Sequence, residues 1–225
     1  MAEKNKNVSA AAPEETLNKN EALFLKYKNV IIGAVAALVV IVAGVSLYRS
    51  YVSGPNEQKA STALGKAQEL FQNQQYEQAL NGDSTGVAGM LQIASDYSST
   101  EAGNLANLYA GLCYANLDKW QEAAQYIEKF SAADDQMISP AAMGALGNVY
   151  AHLDQLDKAV STLVKAAEKA DNNSLSPTFL IQAGQILESQ NKKDEALKLY
   201  KQVKEKYFQS MQYQTIDEYI ERASK

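Results

Sequence analysis

The sequence predicts an all-α chain: one N-terminal transmembrane helix, then an α-solenoid of about four helix pairs closed by a C-terminal capping helix. Three observations carry this. Val30 to Tyr48 is a run of 19 residues without a charged side chain. Beyond Gly54-Pro55, a hinge-like pair, no segment alternates apolar and polar residues as a half-buried strand would. In that same region glycine and alanine recur at a fixed period, with bulky residues at fixed offsets from them.

The apolar run comes first in the chain. At 1.5 Å per residue, 19 helical residues reach about 28 Å, the thickness of a hydrocarbon core. Lys26 and Lys28 flank one end and Arg49 the other, while Tyr27, Tyr48 and Tyr51 sit where interfacial aromatic belts form. A cleavable signal peptide would have a shorter apolar region close behind the start and a small-x-small site after it. Here 29 residues precede the run and Arg-Ser-Tyr-Val follows it, so an uncleaved anchor is expected. The short tail carries the lysines that orient such a segment, and long domains cross largely regardless of their own charge. That puts the tail in the cytoplasm and residues 49–225 outside it. Gly33, Ala37 and Gly44 share one helical face, a small-residue seam that could seat another transmembrane helix. The expected division is 1–29 cytoplasmic tail, 30–48 anchor, 49–58 linker, 59–208 repeats and 209–225 capping helix.

Charge and cysteine exclude several function classes. Residues 1–29 carry five Lys against four Glu, and residues 49–225 carry 16 Lys+Arg against 22 Asp+Glu. With a pI near 5.1 and no basic face, nucleic acid is not an expected partner. The single cysteine, Cys113, rules out an internal disulfide and a multi-cysteine metal site; it sits in an apolar run where a small buried thiol is expected. Four prolines and the lack of a low-complexity tract leave most of the chain ordered.

The repeat is the most specific signal. Gly111, Gly147 and Gly184 are 36 and 37 residues apart, and Ala123, Ala159 and Ala196 keep the same spacing. Each Gly precedes its Ala by 12 residues, with Tyr114, Tyr150 or Leu187 three after the Gly and Ile127, Leu163 or Tyr200 four after the Ala. Small residues at both positions are what two helices need where they touch: Gly on helix A and Ala on helix B. Longer connections are expected at Ala132–Ser139 and Asp171–Ser176, with Pro140 and Pro177 opening the helices that follow. A degenerate first unit lies upstream, with Ala67 and Ala79 keeping the 12-residue step. Its helix B is expected to break near Asn81–Gly86, because Ala67 to Gly111 is 44 residues. Ile216, Tyr219, Ile220 and Ala223 mark the apolar stripe of the capping helix.

These residues resemble the tetratricopeptide repeat (TPR) family, whose units of about 34 residues carry small side chains at the eighth and twentieth positions. The resemblance implies a right-handed superhelical stack whose helices A line a concave protein-binding groove. Carried over, the groove positions are Leu64, Gln68 and Phe71 in the first unit and Leu105, Leu108, Leu112 and Asn116 in the second. The third gives Gly144, Asn148 and His152, and the fourth Ile181, Gln185 and Glu188. None is Lys or Arg, so the carboxylate-clamping activity of some TPR modules is not supported. An apolar-to-amide groove suits a helix or an extended peptide held by packing, while some of these leucines could equally pack against the neighbouring unit.

Chemistry finds little footing. Gly82-Asp83-Ser84-Thr85-Gly86 matches the G-x-S-x-G string, but that motif works only on a strand-to-helix elbow beside a histidine. The one histidine, His152, cannot build a catalytic zinc site by itself. Asn172-Asn173-Ser174 and Asn7-Val8-Ser9 match the glycosylation string alone. The lysine-rich Lys192–Lys206 reads as a solvated helix face. No enzyme activity, cofactor, metal or small-molecule substrate is expected. In its order of parts the chain resembles the YfgM type of bacterial envelope protein: a short cytoplasmic tail, one inner-membrane anchor and a periplasmic TPR-like domain. That resemblance implies a scaffold or adaptor beside the Sec translocon and a periplasmic chaperone. A scaffold for an envelope secretion or outer-membrane assembly complex is the alternative.

Overall fold

The computed structural model describes residues 19–48, 51 and 53–225, with side chains from 26–47, 51 and 53 onward. Residues 1–18 of the expected tail, with Asn7-Val8-Ser9, lie outside the described residues, as does Arg49. Two compact units divide at Val52 and Ser53. The first contains α1 (Lys19–Tyr48), a helix of 30 residues. Within it Lys26–Leu47 has the length and composition of a membrane span or a signal sequence, and none of it is buried. Its 22 residues reach about 33 Å. The helix thus begins well before Val30. Gly33 and Gly44 have open space where a Cβ would stand.

The second unit is a solenoid. Its elements are α2 (Gly54–Gln72), α3 (Tyr76–Asn81), α4 (Met90–Asp96), α5 (Glu101–Asn116), α6 (Trp120–Lys129) and α7 (Ile138–His152). They continue with α8 (Leu156–Ala170), α9 (Ser176–Ser189), α10 (Lys193–Lys206), a 3-10 turn at Met211–Gln214 and α11 (Ile216–Ser224). Helices A are α2, α5, α7 and α9. Helices B are α3 with α4, then α6, α8 and α10, and α11 is the cap. Among the described residues there is no strand, only an isolated bridge between Gly82 and Ala88. That bridge closes the loop that splits the first helix B into α3 and α4. Residues 54–58, expected as linker, are instead the first turn of α2; Pro55 sits where a missing N–H costs nothing.

The close approaches explain the repeat. A Cβ on Gly111 would stand 2.9 Å from the Ile127 amide nitrogen and 3.0 Å from the Ala123 carbonyl oxygen. On Gly147 it would meet Leu163 Cγ at 2.7 Å, and on Gly184 Tyr200 Cζ at 2.6 Å. Ala123, Ala159 and Ala196 are fully buried. So each glycine lies under the bulky residue four positions past the partner alanine. The core runs as successive clusters along the stack, from Leu64, Leu80 and Ile93 through Ile127 and Tyr150 to Leu163, Leu180 and Val203.

Every A-to-B turn is built alike. Gln74, Asp118, Asp154 and Asn191 each take positive φ, near 60°. The next residue's N–H reaches back five positions: Gln75 to Leu70, Lys119 to Tyr114, Gln155 to Tyr150 and Lys192 to Leu187, at 2.8–2.9 Å. The left-handed residue itself donates to the carbonyl three positions back, at 2.9–3.2 Å. This is the Schellman arrangement, with no glycine at the left-handed position.

The B-to-A connections are held by side chains. Glu57 in the first turn of α2 accepts from the Glu101 and Ala102 amides at 2.7 and 3.0 Å, capping α5 across the repeat. Asn104 and Ser131 exchange two hydrogen bonds at 2.8 and 2.9 Å. Asp135 accepts from the amides of Met137, Ile138 and Ser139 and from the Ser139 hydroxyl at 2.5 Å. Asn172 plays the matching part before α9, accepting from the Ser174 and Leu175 amides at 3.0 and 2.9 Å. Ser139 and Ser176 are fully buried yet bonded, Ser139 accepting from the Ala133 amide and Ser176 donating to the Ala167 carbonyl, both at 2.8 Å. Neither proline takes the first helical position: Pro177 is the second residue of α9 and Pro140 the third of α7, both still within the turn whose amides lack helical acceptors. The lysine-rich stretch Lys192–Lys206 is an exposed face that also makes surface ion pairs: Lys192 with Asp157 of α8, Lys204 with Asp217 of α11 and Lys206 with Asp171 just after α8.

Asp135 gives a pH test. The Ser139 hydroxyl, then the amides of Met137, Ser139 and Ile138, pull its carboxyl from an ordinary 3.8 down to about 2. A depressed carboxyl contributes stability that is fully present above its unfolded value and lost as pH falls through the folded one. Asp135→Ala is therefore expected to melt below wild type above about pH 4, with the gap closing toward pH 2. Paired thermal melts across that window check this; a gap constant with pH would refute the assignment.

Candidate functional site

The helices A form a row, and the hollows along it follow the side chains each presents. An apolar hollow of about 350 Å³ opens between α5 and α7, floored by Leu105, Leu108 and Leu112 and walled by Ile138, Ala141 and Ala145. A polar hollow of about 390 Å³ follows between α7 and α9, lined by Asn148, His152, Gln182, Gln185, Ile186 and Ser189. Neither has a Lys, Arg, Asp or Glu in its lining. A third, of about 280 Å³, lies between α2 and α5 near Leu64, and there Glu57, Glu101 and Asp135 add carboxylates.

The structure thus sorts the expected groove residues. Leu105, Leu108 and Leu112 come together in the apolar hollow, and Asn148, His152 and Gln185 in the polar one. Leu108, at 6 % exposure, belongs mainly to the core, with Ala123, Ile127 and Tyr150. Ile181, at 7 %, packs into the fourth unit's cluster and borders neither hollow. Asn116 bends back to donate to the Leu112 carbonyl at 2.8 Å. Gly144 faces Phe179, whose Cζ would lie 2.6 Å from an added Cβ, so it marks close packing of α7 on α9. Glu188 is committed to the cap: it accepts from Tyr200 at 3.0 Å and from Arg222 at 2.5 Å. The Arg222 guanidinium holds its carboxyl below the ordinary value.

Three features of this region had no strong sequence signal. His152 lies flat on Trp120, ring centroids 3.7 Å apart and planes within 1°, so a helix-B residue of the second unit shapes the wall of the polar hollow. Gln182 also lines that hollow, and its carbonyl oxygen is buried without a hydrogen-bond partner. Tyr150 donates to Glu128, with the Lys158 ammonium 3.8 Å over its ring.

The remaining motifs have structural employment. Asp83 in the Gly82–Gly86 string accepts from the Thr85 and Val87 amides at 2.9 Å, closing a turn that leaves Ser84 exposed on a loop between helices. Asn172 donates to the Gln136 and Ala170 carbonyls, so its amide nitrogen is engaged within the loop. Cys113 is fully buried, and burial pushes its thiol up to about 12. Among the described residues no three His, Cys, Asp or Glu gather as a metal set would.

The stacked helix pairs define a helical-repeat solenoid, an architecture whose extended face commonly serves as a binding surface. The family model described as tetratricopeptide repeat-like domain matches residues 22–219, and the chain belongs to that family. No curated protein sequence matches it. Among solved structures it is similar to a kinesin-light-chain-type protein of Podosopora anserina with nearly identical TPR-like repeats and to a point variant of it. Each is 14 % identical with a TM-score of 0.58, covering 74 % of this chain and 85 or 86 % of the other. That likeness is one of fold.

Proposed function

We propose that this chain is a single-pass, membrane-tethered scaffold that captures an uncharged or apolar segment of another protein along its row of helices A. The observation that carries the reading is the pairing of an apolar hollow with an amide-lined one, neither holding a charged side chain. Side-chain packing would supply affinity in the first, and Asn148, Gln182 and Gln185 would meet the main-chain groups of a peptide in the second. The tether adds effective concentration: a weak contact suffices when both partners share a thin layer beside a bilayer. The resemblance to YfgM-type proteins extends the proposal to a bacterial inner membrane, with the domain in the periplasm beside Sec translocon subunits and a chaperone.

Ala141 is exposed on the rim of the apolar hollow, so Ala141→Glu places a charge there without burying it. We expect this variant, and Asn148→Arg in the polar hollow, to melt like wild type while losing most of the partner recovered in mild detergent. Full recovery by both folded variants would remove the groove as the binding site. Sec subunits and a chaperone in the wild-type eluate would support the export reading, and an outer-membrane complex would replace it. Protease added to spheroplasts should digest residues 53–225; protection of that domain would reverse the topology.

A further inference from the structure

The two edges of the solenoid differ in character. Its A-to-B edge carries the turns at Gln74, Asp118, Asp154 and Asn191, all polar. Its B-to-A edge is one connected strip. Glu57 bonds the first turn of α5, Asn104 bonds Ser131, Asn172 bonds Gln136, Lys206 pairs with Asp171, and Gln212 donates to Thr178 at 2.9 Å. Within residues 53–225 the exposed large apolar side chains are Met137, Ile138, Phe208, Met211 and Tyr213, 41–87 % exposed. All five lie on that strip, at the start of α7 and on the loop between α10 and α11.

The chain also joins the domain on this strip. Ser53 immediately precedes α2, whose first turn holds Glu57. From Leu47, the last residue of the apolar stretch, six residues lead to Ser53, at most about 20 Å of extended chain. We propose that this B-to-A edge is a second, peripheral membrane contact, its apolar loop tips seated at the headgroup–acyl boundary of the bilayer that α1 crosses. It rests on the reading of α1 as a membrane span.

Two arguments favour lipid over a protein partner here. Phe208, Met211 and Tyr213 project from a loop rather than enclosing a cleft, Met137 and Ile138 stand on the rim of the apolar hollow at the start of α7, and Phe and Tyr are residue types that seat at a membrane interface. The chain also enters the domain at this edge, and a partner joined through a short tether gains effective concentration, so each tip would need little affinity of its own. Charge is not the driver: exposed Lys129, Lys204 and Lys206 are interleaved with exposed Glu101, Asp134 and Asp217. The contact should therefore form on zwitterionic lipid and tolerate salt.

The test uses the full chain in phosphatidylcholine nanodiscs, nitroxide-labelled at Met211→Cys, Met137→Cys, Gln155→Cys or Val39→Cys. Cys113, buried and with a weakly acidic thiol, stays unlabelled in the folded protein. Collision with oxygen, which partitions into lipid, is compared with collision by a water-soluble nickel chelate. The Met211 and Met137 labels should shift toward the Val39 ratio, while Gln155, exposed in an A-to-B turn, keeps an aqueous value. Aqueous values at Met211 and Met137 with a lipid value at Val39 would overturn the edge contact and leave the span intact. A lipid-like Gln155 would overturn the assignment to one edge. An aqueous Val39 would remove the span and this proposal with it.

Discussion

The double change Leu108→Glu with Leu112→Glu is expected to unfold the second helix pair, not merely to abolish partner capture. Leu108 is 6 % exposed and packs with Ala123, Ile127, Val149 and Tyr150. Removing a buried leucine costs about 2–5 kcal/mol. Stripping water from an unpaired carboxylate costs several more. The combined loss, above about 5 kcal/mol, rivals the whole stability of an ordinary domain. Leu112 is half-buried on the hollow's floor and contributes the smaller part. Circular dichroism should show a marked fall in helicity at 25 °C. A fully helical double mutant would mean that Leu108 faces the open groove after all.

Gly147→Leu is the second large effect. An added Cβ would already stand 2.7 Å from Leu163 Cγ, and leucine brings three further carbons into the same space. Leu163 is itself fully buried, so it has nowhere to retreat. Overpacking of this kind costs about 3 kcal/mol, which lowers the melting temperature of a domain this size by roughly 6–12 °C. Lys165→Ala, on an exposed position of the same unit, should change stability by less than about 0.5 kcal/mol. If Gly147→Leu melts with wild type, α7 and α8 do not touch where the glycine sits.

The all-α repeat was legible because a steric demand leaves few residues to choose from. Two helices that nearly touch at Gly111 and Ala123 accept almost nothing larger, so contact geometry is written directly as residue type. The break after Asn81 was legible as surplus length, and the long apolar helix as composition. Other features depend on groups far apart in sequence. Glu57 caps a helix 44 residues downstream, and His152 finds Trp120 32 residues back, with no local pattern to announce either. The groove was only half legible: family positions gave its residues, but not that Leu108 and Ile181 sink into the core while Leu112 and Gln185 line open hollows. One readable signal was missed. Asp135 and Asn172 each precede a Ser-Pro pair by four residues, Ser139-Pro140 and Ser176-Pro177, and this spacing marks the caps of α7 and α9.

The four A-to-B turns have an evolutionary corollary. Each is closed by two main-chain amides finding two main-chain carbonyls, at Gln74-Gln75, Asp118-Lys119, Asp154-Gln155 and Asn191-Lys192. None of the side chains there caps the helix that follows. The punctuation of the repeat therefore resides in chain length, not in a consensus letter. Substitutions that keep an N–H and tolerate a left-handed backbone can drift through these positions without erasing the turn, whereas an inserted residue would carry the two amides out of step with the carbonyls on which they close.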